Sequence, residues 1–190
     1  WQYAVGKPLA ATPSNFGFRG EAPSNPALLE YLASALVQNG GRMKPVLKQI
    51  FLSSAYRQAS DHVESSALVD PENTLLWRMN RRRMQAEILR DNILWVSGCL
   101  NTAMGGPGVK PRLRAELITA SQRNKWPSLE VEGPEQWRRS VYIYAKRQLF
   151  LPMLELFDAP TTMESCALRG ESVVPTQALI LLNDVFAEEQ

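Results

Sequence analysis

The stretch from Asp70 to Leu100 constrains this chain more than any other, because its longest helical pattern and its densest cluster of charge coincide there. On a helix of about 3.6 residues per turn, Met84, Ile88, Leu89, Ile93, Trp95 and Val96 share one broad arc, which predicts the buried face. Arg83, Glu87, Arg90 and Asp91 fall opposite. Arg83 to Glu87 is an i,i+4 pair of opposite sign there, and Glu87 to Arg90 an i,i+3 pair. Leu94 interrupts this polar face, so both sides of the helix are expected to be at least partly covered, and covered charges must be paired and hydrogen-bonded. Gly98 ends the pattern as a C′ residue, since it adopts positive φ without a Cβ penalty.

The cluster has two readings. In the first it is a ladder of paired charges that orients neighbouring segments. In the second it is an anion or sugar site, with Arg78, Arg81, Arg82 and Arg83 as forked donors for carboxylate, sulfate or phosphate. Glu87 and Asp91 compete for those same donors.

The length of 190 residues is ample for a core and predicts one domain over 1–190. With 45% hydrophobic and 21% charged residues the composition is that of a globular chain, and neither disorder nor a fibrous class is indicated. A net charge of +2, with bases interleaved among acids, lacks the uncompensated basic stripe of a nucleic-acid surface. No apolar run approaches the roughly 18 residues of a membrane span. The opening at Trp1 and the unmarked end at Gln190 are read as signs of a fragment truncated at both ends. Cys99 and Cys166 are too few and too distant for a zinc or disulfide framework; a single bridge between them is one reading, and two free, mostly buried thiols are the other and the one expected.

Residues 1–21 read as an ordered loop, anchored by Phe16 and Phe18, with turns at Gly17 and Gly20. Arg19 and Glu21 beside that anchor form either a local salt bridge or part of a site. Ser24 or Asn25 followed by Pro26 starts a helix. Leu28, Leu29, Leu32, Ala33, Leu36 and Val37 keep its period, and Asn39, Gly40 and Gly41 end it. Pro45 opens a second helix with Val46, Leu47, Ile50 and Phe51 on its apolar face, which predicts an antiparallel pair. The Ser-rich stretch that follows, with Tyr56 and Arg57 at its entrance, is expected to be a surface connection, mobile in its middle.

Beyond the central helix, the three glycines and two prolines of 101–113 define a turn or loop. It is not a phosphate loop, because Lys110 is followed by Pro111. Leu113 to Trp137 reads as irregular. The alternation of Val141, Ile143 and Ala145 against Tyr142, Tyr144 and Lys146 predicts a strand. Val173-Val174 and Leu129 to Val131 are its candidate partners in a small two- or three-stranded sheet. A short helical turn precedes Asp158 and Pro160. From Pro175, Ala178, Leu179, Leu181, Leu182, Val185 and Phe186 predict a last helix almost completely buried in its middle. The fold class expected is therefore mainly α, a compact helical domain with a small β element.

Little chemistry is written in the motifs. The one histidine, His62, has no Gly-x-Ser-x-Gly elbow to serve and reads as an exposed loop residue. Transition-metal ligands are too few, no calcium loop is present, and haem attachment would require Cys-x-x-Cys-His. No cofactor is expected within the chain. Glu87 and Asp91, one helical turn apart, are the candidate pair for glycoside hydrolysis.

The segments "ATPSNFGFRGEAPSNPALLEYLA", "KQIFLSSAYRQAS", "DPENTLLWRMNRRRMQAEILRD", "GGPGV", "RRSVYIY", "LELFDAP" and "VPTQALILLND" occur in this order. Together they resemble a planctomycete-specific C-terminal domain of unknown function, found in large exported proteins that often carry a planctomycete cytochrome c domain. Residues matching its characteristic stretches are Arg19, Glu21, Tyr56, Arg57, Asn80, Arg82, Arg83, Glu87, Arg90, Asp91, Thr176, Gln177 and Asn183. Trp1-Gln2 resembles the interior of that domain, and Leu113 to Trp137 matches none of its motifs. The resemblance implies an exported bacterial protein, periplasmic or at the cell surface, and carries no established activity or catalytic residue.

Three functions follow as expectations. The first is a non-catalytic scaffold or binding module whose partners are neighbouring domains of a parent protein, a glycan or another protein, and the genomic setting associated with the family, beside polysaccharide-degradation genes, favours a glycan. The second is a carbohydrate-active enzyme using Glu87 or Asp91 as acid or base. The third is a docking surface for an attached cytochrome c domain. The candidate polar binding cluster is Arg19, Glu21, Arg57, Arg82, Arg83, Glu87, Arg90 and Asp91, with no metal ligands, nucleic acid or membrane span.

Overall fold

A computed structural model describes residues 1–118, 126–147 and 149–190. It is mainly helical, with 38% of residues in helix, and divides between Arg82 and Arg83 into two compact units.

The first unit, Trp1–Arg82, holds α1 (Gln2–Val5), α2 (Pro26–Gln38), α3 (Met43–Leu52) and α4 (Glu64–Val69). The start of α2 follows the sequence signal: Asn25 Oδ1 accepts the Leu28 N–H at 2.9 Å and Pro26 occupies the first helical position. Such a cap contributes about 1 kcal/mol. Its end is closed by the glycines. Gly40 and Gly41 sit at φ 63° and 75°, and the Gly41 N–H reaches back to the Leu36 carbonyl at 2.9 Å, a bond that needs left-handed backbone. Helix α3 begins two residues before Pro45, because the third helical position still requires no N–H. Val46 and Ile50 of α3 join Ala35 of α2 and Ala4 and Val5 of α1 in one buried cluster.

The N-terminal loop departs from expectation. Phe16 and Phe18 are 80% and 106% exposed and anchor nothing. Short polar bonds shape the loop instead: Thr12 Oγ1 donates to the Asn15 carbonyl and accepts the Glu21 N–H, each at 3.0 Å. Gly20 is indispensable to it, since a Cβ there would lie 2.2 Å from the Asn15 carbonyl oxygen.

The second unit, Arg83–Gln190, contains α5 (Ala86–Val96), α6 (Pro152–Leu156), α7 (Pro175–Asn183) and α8 (Val185–Glu189), with single 3-10 turns at Ala115–Leu117 and Ser140–Tyr142. One cluster buries Ala86, Met153 and Phe157 among α5, α6 and their neighbours, with Leu89, Ile93, Ile180 and Phe186 packed on it. Another gathers Leu113, Ile118, Trp126 and Leu149. The expected arc of α5 is largely outside: Ile88 is 50%, Trp95 67% and Val96 84% exposed. The stripe Ala86, Arg90 and Leu94 is buried in its place. Ala86 allows close approach, and Arg90 donates to the carbonyls of Gln136 and Arg138, so a charged residue sits at the centre of the buried face. Gly98, at φ 77°, ends α5 as expected.

No sheet forms among the described residues. The predicted strand is a 3-10 turn flanked by isolated bridges, Val109 with Ile143 and Lys146 with Leu149. Side chains take the backbone groups a strand would pair: Asp91 Oδ1 accepts the Ser140 N–H at 2.7 Å. Val173, 87% exposed, pairs with nothing there. Helix α7 also differs from the sequence pattern, burying Gln177 while Leu179 and Leu182 stay 56% and 76% exposed. Both thiols are free, but Cys166 is exposed and Cys99 half-buried rather than both interior.

Candidate functional site

Four of the eight residues of the predicted cluster lie in the first unit. Arg19 and Glu21 are exposed and form no ion pair with each other. Arg57 is also exposed, while the adjacent Tyr56 packs on the core and meets the Phe51 ring edge-on at 4.9 Å. Arg82 donates to the Tyr3 carbonyl. No hydrogen bond or ion pair joins any of these four to another.

The other four lie in the second unit, and each is bound to a partner distant in sequence. Arg83 Nη2 donates to Asp158 Oδ2 at 2.6 Å and to the Phe157 carbonyl at 3.1 Å. Glu87 Oε2 accepts from Arg169 at 2.8 Å. Arg90 is 3% exposed; its Nη1 donates to the Arg138 carbonyl at 3.0 Å, its Nη2 to the Gln136 carbonyl at 2.8 Å, and its guanidinium faces the Phe186 ring at 5.0 Å. Burial lowers its pKa, opposed by the charges of Glu132 and Asp91. Asp91 accepts from Ser140 and lies 3.9 Å from Arg139 Nε. The expected Arg83–Glu87 and Glu87–Arg90 pairs on one helix face are not made.

Glu87 also opens onto a pocket of about 320 Å³ within this unit. Its wall includes Tyr144, Lys146, Glu155, Thr161 and Thr162. The volume falls in the range of small-ligand sites. Tyr144 is half-exposed and offers a flat apolar surface, while Glu155 on the short α6 presents an exposed carboxylate. Lys146 is the unusual member: its Nζ is shielded from solvent and has no hydrogen-bond acceptor among the described residues. A buried ammonium without an acceptor is costly. The residues of this pocket were hard to find in sequence. Lys146 appears there as one face of a strand, and Glu155, Thr161 and Thr162 lie in segments whose pattern shows only a helical turn and a loop.

Asp158, which the sequence marks only as the end of a helical turn, closes α6 at φ 57°. The Ser172 N–H reaches it at 2.7 Å, and these bonds with the Arg83 charge outweigh partial burial and hold its carboxyl below the usual range. Gln177 Nε2 donates to the carbonyls of Leu156 and Ser172, tying α7 to the same corner. Among the described residues, no group of three or more His, Cys, Asp or Glu side chains is placed to hold a metal, and no helix is long and apolar enough to cross a membrane.

The arrangement is that of a helical domain whose charges staple irregular backbone and leave an open, polar pocket beside them. The chain, over residues 1–190, belongs to the family described as PSD1, protein of unknown function (DUF1553). No curated protein and no solved structure matches it.

Proposed function

We propose that this chain is a non-catalytic binding module of a larger exported bacterial protein and that the pocket beside Glu87 takes a sugar unit of a glycan. One observation carries the reading: Lys146, which lines that pocket, has a buried Nζ without an acceptor among the described residues. An ammonium only donates and an ionised carboxylate only accepts. Lys146 and Glu155 on one wall therefore call for a ligand that does both, as hydroxyls do, and Tyr144 suits the apolar face of a pyranose ring. Binding rather than hydrolysis is favoured because Glu87 is engaged by Arg169, and Asp91 by Ser140 and Arg139. Neither is left free to exchange protons with a substrate.

The test is a thermal-shift screen of the chain against neutral and uronic oligosaccharides, repeated with Lys146→Met and Glu87→Gln. A ligand at 100 times its Kd stabilises by about 2.7 kcal/mol. A shift lost in folded Lys146→Met, with no sugar product formed, supports the reading. No shift with any glycan refutes it, and turnover abolished by Glu87→Gln replaces it with catalysis.

A further inference from the structure

The first unit carries a second cavity, of about 370 Å³, lined by Lys7, His62, Glu72, Arg78 and Arg81 together with polar backbone and side-chain groups. Three of these are cations and one is an acid. Glu72 is already engaged: Lys7 Nζ lies 3.8 Å from its carboxylate and also donates to its carbonyl. The charges of Arg78 and Arg81 are left without a carboxylate partner among the described residues. Arg78 Nε is shielded from solvent and has no acceptor.

Arg78 is also held in place. Asn73, 2% exposed and in left-handed backbone at φ 53°, clamps it from both sides: its Oδ1 accepts the Arg78 N–H at 3.3 Å and its Nδ2 donates to the Arg78 carbonyl at 2.9 Å. The same Nδ2 holds Asn80 Oδ1 at 2.9 Å, and Asn80 in turn donates to the Val5 carbonyl at 3.0 Å. On its outer side the guanidinium lies 5.0 Å from the Trp77 ring, whose Nε1 is fixed by the Asp70 carbonyl at 2.8 Å. A guanidinium carried on backbone that Asn73 fixes and lying against an aromatic ring, with an unused N–H and a second arginine lining the same cavity, is suited to a multidentate oxyanion.

We propose that this cavity binds a sulfate or phosphate monoester, with Arg78 as the forked donor and Arg81 as the second cation. A carboxylate fits less well, since two planar forks together offer more donors than two oxygens use. The room beyond the arginines accommodates the group that carries the ester. This site lies in the other unit from the sugar pocket, and its test is independent of that reading.

The experiment follows the Arg78 Nε–H and the backbone amides of Asn73 and Arg78 in the 190-residue chain by heteronuclear NMR, at ionic strength fixed with sodium chloride. The probes are inorganic sulfate, inorganic phosphate, glucose 6-sulfate, glucose 6-phosphate and glucuronate. Saturable shifts at these nuclei are expected with the esters, and the stronger of the two identifies the natural group. Arg81→Gln, an exposed change that leaves the fold intact, is expected to weaken binding at least tenfold. Arg78→Lys, which keeps the charge and loses the fork, is expected to do the same. Lys146→Met should leave the affinity unchanged. Unsaturated shifts spread over many surface cations, an unchanged Kd in Arg81→Gln, or binding of glucuronate alone would each overturn the proposal.

Discussion

Replacement of Asp158 by Asn probes the corner where α5, α6 and the chain before α7 meet. The carboxylate receives Arg83 Nη2 at 2.6 Å, the Ser172 N–H at 2.7 Å and the Ser172 hydroxyl at 2.9 Å. Asparagine keeps the shape and tolerates the left-handed φ of 57°, whereas alanine there adds about 1–2 kcal/mol of backbone strain. The change thus isolates charge and one acceptor. It removes a charge-assisted bond and leaves at least one donor facing an amide N–H, which costs about 2–4 kcal/mol in all. Arg83 keeps only the Phe157 carbonyl, at 3.1 Å, because its Nε and Nη1 already lack acceptors. Both side chains are only 17% and 27% exposed, so solvent screening removes little of this.

The sign of the pH dependence follows from the lowered pKa of Asp158. The unfolded chain binds this proton more readily, so the stabilisation is fully present above the unfolded value of about 3.9 and is lost as pH falls through the folded one. Urea unfolding of the wild-type chain and Asp158→Asn at pH 7, 4.5 and 3 is the assay. The gap should be widest at pH 7 and narrow below about pH 4. A cycle with Arg83→Met should show coupling of about 1–3 kcal/mol. A loss at pH 7 below about 0.5 kcal/mol, or one unchanged at pH 3, would refute the account.

Substitutions at two further positions test the remaining architecture. Arg90→Ala strands the carbonyls of Gln136 and Arg138 and opens space under Phe186, so it should cost about 3–5 kcal/mol by urea unfolding; Arg90→Lys, with no fork, should recover only part of this. Asn25→Ala should cost about 1 kcal/mol and raise amide exchange in the first turn of α2 without touching the second unit.

What sequence showed well was punctuation. Asn25-Pro26, Gly40-Gly41 and Gly98 each act through their own backbone within four or five residues, so their meaning survives any tertiary context. What it showed poorly was facing. The apolar residues of α5 and α7 define arcs, yet the buried members include Arg90 and Gln177, whose value lies in donors reaching carbonyls far along the chain. No window of residues contains both ends of such a bond. The candidate site divides the same way: Glu87 shows as a charge on a helix, but Lys146 falls in an alternating segment that predicts a strand, and its place at a pocket depends on residues elsewhere in the chain.

The missing sheet and the abundance of arginine have one cause. Buried carbonyls must find donors, and where long loops replace strands no neighbouring backbone supplies them. Arginine does: it carries five N–H groups on a long stem. Arg138, 5% exposed, donates to the carbonyls of Pro107, Ala103 and Gly105 while stacked 4.0 Å from Tyr142. Arg112 reaches the Glu130 carbonyl and Arg114 that of Asn183, and Arg83 and Arg90 repeat the pattern. An arginine so used is committed to the fold, which is why the charges of Arg83 and Arg90 serve architecture in the second unit. By the same reasoning a binding cation is one whose N–H groups reach no carbonyl. Arg78 Nε and Lys146 Nζ meet that criterion, and both line cavities.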